Sequence, residues 1–197
     1  GGRLLLVGVG LVGGRAGGDK GGALLVNGSD ASVHLEGGRV GGSEALAGGC
    51  VAVEGGGAAA LSGVAVTSCS AQNGGGVAVG DGGALLVQGG SVENCTASAQ
   101  AEDAHGGGVE VDGGIATLVG VTIVGCRVVS GSGEVAGGGV NVDAGALVME
   151  GGRVEGCIAE SASATKRAWG GGMAMLGGVA NLTNVPIAGC VAISDSY

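Results

Sequence analysis

The sequence predicts an all-β fold, a right-handed parallel β-helix solenoid of about six coils with three short strands in each. Three observations carry this expectation. The phrase GGGVNVDAGALVMEGGRVEGCIA at Gly137 recurs at Gly106 (GGGVEVDGGIATLVGVTIVGCRV), Gly74 (GGGVAVGDGGALLVQGGSVENCTA), Gly170 (GGGMAMLGGVANLTNVPIAGCVA) and Gly48 (GGCVAVEGGGAAALSGVAVTSCSA). Self-similarity at a period of roughly 20–50 residues marks a solenoid or repeat array. Within each phrase, apolar residues alternate with small or polar ones, the period of a strand that buries one face. The apolar residues are mainly Val, Ala and Leu, with one Trp, one Tyr and no Phe. That choice suits a slim core built in thin layers better than a broad core filled with aromatic rings.

Coils are expected to begin near Gly21, Gly48, Gly74, Gly106, Gly137 and Gly170, after a half-coil over residues 1–20. Gly1 to Arg15 (GGRLLLVGVGLVGGR) aligns without gaps on Gly113 to Arg127 (GGIATLVGVTIVGCR). This alignment explains the apolar start better than a secretory signal does. From triplet to cysteine the distance is 21 residues in the Gly48 and Gly74 coils and 20 in the Gly106, Gly137 and Gly170 coils. The variable part follows the cysteine, as in a solenoid whose loops project from one edge. Solenoid ends need caps, and neither end reads as one. Residues 1–197 are therefore expected to be a single β-helix domain and a piece of a larger protein.

Period two assigns the faces. Val77 and Val79, Val109 and Val111, Val140 and Val142, and Met173 and Met175 should point inward from the first strand. Ala78, Glu110, Asn141 and Ala174 between them should point out. In the second strand Leu85 and Val87, Ala116 and Leu118, Leu147 and Met149, and Ala180 and Leu182 should point inward. The third run carries Val92, Ile123, Val154 or Ile187, then the cysteine, then Ala97, Val128, Ala159 or Ala192.

The phrases GGALLV, at Gly21 and Gly82, and GGGV-x-V resemble right-handed parallel β-helix repeats of the pectin-lyase-like type. They are also similar to the GGA-[I/L/V] repeats of polymorphic outer membrane proteins and related surface adhesins. The resemblance implies an extracellular or cell-surface module. It also implies that, in an enzyme of this fold, the outer face of the first strand lines the substrate cleft. Glu110 beside Asn141, with Asp112 and Asp143, would then be the acids of a polysaccharide lyase or glycoside hydrolase.

The residues themselves leave several readings open. Cys69, Cys95, Cys126, Cys157 and Cys190 share one position in successive coils and should stack about 4.8 Å apart. They can be buried thiols or can form bridges between neighbours; single-file spacing offers no zinc site. Cys50, in the third glycine position of its triplet, stands outside this file and could be exposed. Glu54, Asp81, Asp112 and Asp143 should form an acidic column after the first strand. Stacked carboxylates could hold calcium, although Asp before Gly-Gly is also ordinary turn chemistry. No other cofactor is implied.

The loops 98–105, 129–136 and 160–169 should emerge side by side and carry Glu102, Asp103, His105, Glu134, Glu160, Lys166, Arg167 and Trp169. Variable loops on a rigid scaffold are the usual home of binding, and a Trp among charges can stack on a sugar or anchor a partner. Asn27 and Asn181 are candidate glycosylation sites; Asn94 also lies in a sequon but fits a turn. The formal charge of −9 argues against a nucleic-acid partner, and no apolar run is long enough for a helical membrane span. The expected partners are the remainder of a parent protein, and a glycan or surface protein held by the edge loops. The role expected first is structural or adhesive, and the enzyme is the alternative.

Overall fold

A computed structural model describes residues 2–194, so Gly1 and residues 195–197 lie outside it. The chain is an all-β parallel solenoid of about six turns. The half-coil alignment holds strand for strand. Arg3–Val7 and Gly10–Val12 join the same sheets as Ile115–Val119 and Thr122–Val124.

Each sheet is a stack of equivalent strands in register. The first-strand sheet has six strands, from Leu24–Asn27 through Val51–Glu54, Val77–Gly80, Val109–Asp112 and Val140–Val142 to Met173–Met175. Its inner file runs Val26, Val53, Val79, Val111, Val142, Met175. The second-strand sheet has seven strands, with an inner file of Leu6, Leu35, Leu61, Val87, Leu118, Met149 and Leu182. A third file, Leu11, Val40, Val66, Val92, Ile123, Val154 and Ile187, closes the core. β-branched and Leu side chains stacked on themselves fill a narrow tube without aromatic bulk. Each coil is too thin to bury its own apolar face, so the stacking supplies the core.

Three expectations need correction here. The third run is two short strands, such as Ser91–Glu93 and Thr96–Ala99, joined by a corner at Asn94 with φ 52°. Asn tolerates that left-handed corner well, and period two cannot see a bend inside an apolar run. Met175 and Ile187, expected inside, are exposed in the last coil. No described coil lies beyond to cover them.

The loops are also more ordered than expected. Ala104–His105, Val135–Ala136 and Ala168–Trp169 form a further parallel sheet. It covers a second small core of Ala97, Ala104, Val128, Val135 and Ala159. Two buried serines tie the loops together: Ser130 Oγ donates to Glu102 O at 2.8 Å, and Ser161 Oγ donates to Gly133 O at 2.9 Å.

The glycine triplets are the tightest part of the frame. Gly107 N donates to Gly137 O at 3.0 Å, so triplet stacks on triplet. A Cβ on Gly107 would lie 2.2 Å from Gly138 O and 2.5 Å from the Arg127 carbonyl carbon. Neither is a side chain that can swing away.

Candidate functional site: the first-strand groove and its flanking ladder

The residue before each triplet belongs to one continuous ladder. Lys20 pairs with Ala47, Ala47 with Asn73, Asn73 with His105, His105 with Ala136, and Ala136 with Trp169. Between this ladder and the outer face of the first-strand sheet runs a groove of about 460 Å³. Its lining includes Lys20, Asn73, His105, Glu54, Asp112 and Asp143, with Ala52, Ala78 and Glu110 along the strand face. A larger depression of about 760 Å³ lies on the outer face of the second-strand sheet, among Leu5, Ala58, Ala60, Leu86 and Ile115. Arg3 and His34 also line it, but no carboxylate does; Glu54, Glu110, Asp112 and Asp143 all line the first-strand groove.

On the groove face, Ala52, Ala78, Glu110 and Asn141 are register neighbours. Glu110 and Asn141 point away from the core, as period two requires, yet they are not open to solvent. Glu110 is 5% exposed and Asn141 0%. The cause is local. Gly106, at φ +61°, folds the chain back so closely that a Cβ there would meet Glu110 Oε2 at 2.7 Å. Asn141 Nδ2 donates to Glu110 Oε1 at 3.2 Å, while Glu110 Oε2 and Asn141 Oδ1 have no partner. Burial pushes the Glu110 carboxyl up to about 8; the Asn141 hydrogen bond partly offsets this, and the nearby Asp143 and Asp112 add to it. At neutral pH Glu110 is therefore largely protonated.

The acidic column is broken at one place. Gly80, and not Asp81, pairs with Asp112, so Asp81 falls one residue out of file. Asp81 instead occupies the turn at φ 45°. The Lys20 ammonium bonds Glu54 and lies 3.8 Å from Asp81, and its pKa is raised chiefly by the Glu54 contact. Among the described residues, no three His, Cys, Asp or Glu side chains converge closely enough to hold a metal ion.

The loop candidates divide into anchored and free groups. Glu102 accepts from Gln72 Nε2 at 2.6 Å, and Asp103 Oδ1 accepts from Glu134 N at 2.7 Å. Glu160 pairs with Arg127. Lys166 and Arg167 are exposed, and the Arg167 guanidinium lies over the ring of Trp169 at 5.2 Å. Trp169 keeps 39% of its surface open. Asn27 and Asn181 are both exposed; Asn27 Nδ2 donates to Glu54 Oε1 at 3.1 Å.

The cysteine file divides unequally. Cys95, Cys126 and Cys157 are buried free thiols and Cys190 is half-buried. Each donates to the carbonyl two residues earlier, as Cys126 does to Val124 O at 3.6 Å and Cys157 to Glu155 O at 3.4 Å. Ser43 fills the same place in its coil and donates to Gly41 O at 3.2 Å. Contacts with the Cys157 and Cys95 sulfurs, together with burial, hold the Cys126 thiol well above its ordinary range. Cys69, expected among these, is bridged to Cys50, with Cα atoms 5.5 Å apart. Cys50 is fully buried rather than exposed. The reason is the repeat itself. The third glycine of each triplet faces the cysteine of its own coil, and a Cβ on Gly76, Gly108 or Gly139 would lie 3.1 Å from that Sγ. A cysteine in that position is a ready disulfide partner.

The signals for the ladder were present in the sequence: a small apolar residue precedes His105, Ala136 and Trp169 alike. Pairs this short carry too little periodicity to stand out from loop. No family model, no curated protein and no solved structure matches the chain. Among the described residues, no helix is long and apolar enough to cross a membrane.

Proposed function

We propose that this chain is a structural or adhesive β-helix module of the right-handed, pectin-lyase-like kind that works at the cell surface or outside the cell. It holds a glycan or a surface protein along its ladder edge. The observation that carries the reading is the Trp169–Arg167 stack, partly open to solvent at the end of a ladder fixed by backbone pairing. A rigid aromatic face beside a charge is the usual form of a sugar platform or an interface anchor. The ladder supplies the rigidity that an isolated loop lacks.

A glycan-array screen of the chain, scored for both retention and product release, tests this. Retention without release is expected, with at least tenfold weaker binding for Trp169→Ala, the loss expected of an anchoring aromatic. Retention that survives Trp169→Ala would remove the edge-loop reading. One observation favours a second reading, a polysaccharide lyase or glycoside hydrolase. Glu110 is a protonated buried acid near two further carboxyls, the arrangement expected of a general acid and its counterpart. Product release that disappears in Glu110→Gln would establish it over the adhesive one.

A further inference from the structure

Four free thiols, Cys95, Cys126, Cys157 and Cys190, stand in one file that the proposed binding edge does not use. The register fixes this file on both sides. Val92, Ile123, Val154 and Ile187 pair in series just before it, and Ala97, Val128, Ala159 and Ala192 just after it. Successive cysteines are therefore one strand spacing apart, about 4.8 Å. Each sulfur points across its own coil toward the third glycine, where an added Cβ would lie 3.0 or 3.1 Å away.

Packing does not call for sulfur at this place. Ser43 fills it in the Gly21 coil, is buried, and makes the same hydrogen bond to the carbonyl two residues earlier. What cysteine adds to serine here is soft-ligand chemistry. The spacing decides between two uses of neighbouring thiols. A disulfide wants Cβ atoms about 3.8 Å apart, about 1 Å closer than in-register strands hold them. A metal–thiolate bond is about 2.3 Å long, so two in line span roughly 4.6 Å, close to the spacing of the file. Among the described residues, no three His, Cys, Asp or Glu side chains converge on a metal ion. That excludes a tetrahedral site and leaves an ion satisfied by two sulfurs in line. Copper(I), which soft thiolates select, is such an ion. It would lie along the solenoid axis while the side chains run across it, which gives the bent angle at sulfur that thiolate ligands adopt.

We propose that neighbouring thiols of this file bind copper(I) in two-coordinate bridges, the first ion between Cys157 and Cys190. Cys190 is the half-buried end of the file, where an ion can enter. Its sulfur accepts from Cys157 N at 3.4 Å, a contact that favours the thiolate. Each bridge breaks two S–H bonds and forms two S–Cu bonds. Two protons leave to solvent, and neither copper nor sulfur changes oxidation state. The bridge carries one negative charge where two bare thiolates would carry two, so burial penalises it less. The Cys50–Cys69 disulfide takes no part.

Anaerobic titration with the acetonitrile complex of copper(I), against bathocuproine disulfonate as competing chelator and with no added thiol, tests this. We expect one ion per chain held against the competitor, two protons released with it, and two sulfur ligands by X-ray absorption. Cys157→Ser keeps the shape and hydrogen bond that Ser43 shows the site accepts. It should weaken the first ion by on the order of a hundredfold or more, since even an outer-shell partner of a metal is worth about 10–100-fold. Cys190→Ser makes the same test with less of the core disturbed. Cys95→Ser leaves Cys157 and Cys190 together and should hold the first ion as the native chain does. Circular dichroism confirms that each variant is folded. No copper retained against the competitor, no loss in Cys157→Ser and Cys190→Ser, or an equal loss in Cys95→Ser would overturn the proposal. Zinc(II) held as tightly as copper(I) would do the same. The inference is independent of the glycan reading: copper retention without glycan retention keeps this one and removes the other.

Discussion

The coil that begins at Gly48 and the coil that begins at Gly106 share one backbone, and two side chains set their chemistry apart. At the third triplet position the first has Cys50 and the second Gly108; at the centre of the first strand the first has Ala52 and the second Glu110. In the Gly48 coil the result is a disulfide and an apolar groove floor. In the Gly106 coil it is a free thiol and a buried, protonated acid. Neither exchange disturbs the register of the sheets, because the frame is set by triplet stacking and by the inward Val and Leu files. The solenoid thus separates what holds it together from what it can bind, and each coil can change its chemistry alone.

The comparison is sharpest at Glu110. Its folded pKa, about 8, lies above the unfolded value of 4.5. Folding is therefore favoured by the proton. That contribution is complete below about pH 4.5 and is lost as pH rises through 8. The loss should be on the order of 4 kcal/mol across this window. Thermal melts of the native chain should fall in Tm from pH 5 to pH 8, and Glu110→Gln, with its neutral amide, should remove most of the slope. A slope that persists in the variant would place the titration elsewhere.

This acid also marks the boundary of what the sequence discloses. The inward files of Val, Leu and Met follow from period two, because each stands between small or polar neighbours. That Glu110 points away from the core follows from the same period. Its burial does not, since burial comes from the Gly106 backbone folding over the carboxyl, a close approach that no side-chain pattern records. The break in the acidic column at Gly80 was hidden for a related reason. Matching Asp81 to Asp112 by the glycines that follow them ignores the extra residue in the Gly74 coil. The Cys50 bridge was accessible, since one triplet reads GGC where the coils at Gly74, Gly106, Gly137 and Gly170 read GGG. Only the knowledge that the third glycine faces its own coil's cysteine turns that difference into a disulfide.

The second position that separates the two coils supports a paired test. Cys50→Gly gives the Gly48 coil the residue that the Gly74, Gly106, Gly137 and Gly170 coils use, so little packing should be lost. The bridge closes a loop with a sequence separation of 19, and its removal should cost about 3 kcal/mol. Gly108→Cys is the reciprocal change. Its Cβ would stand 3.1 Å from Cys126 Sγ, with Gly139 O at 2.7 Å as the tightest neighbour. Thiol titration under denaturing, non-reducing conditions should then find three free thiols in place of the four present in the native chain. Finding five, with the introduced thiol unpaired, would mean that facing geometry alone does not make the bridge.

The smallest effect tests whether anything on the edge matters to the frame. Arg127 and Glu160 form an ion pair between the Gly106 and Gly137 coils, with side chains 46% and 37% exposed. A pair so open to water is screened and contributes at most about 1 kcal/mol. Arg127→Ala should lower the denaturation midpoint only slightly, and the difference should shrink further in high salt. The backbone of Arg127 is another matter, since its carbonyl closes over Gly107 and its amide donates to Cys95 O at 2.9 Å. Alanine keeps both. A loss well beyond 1 kcal/mol would show that the side chain reinforces the stacked triplets, and the separation of frame from chemistry would fail at that edge.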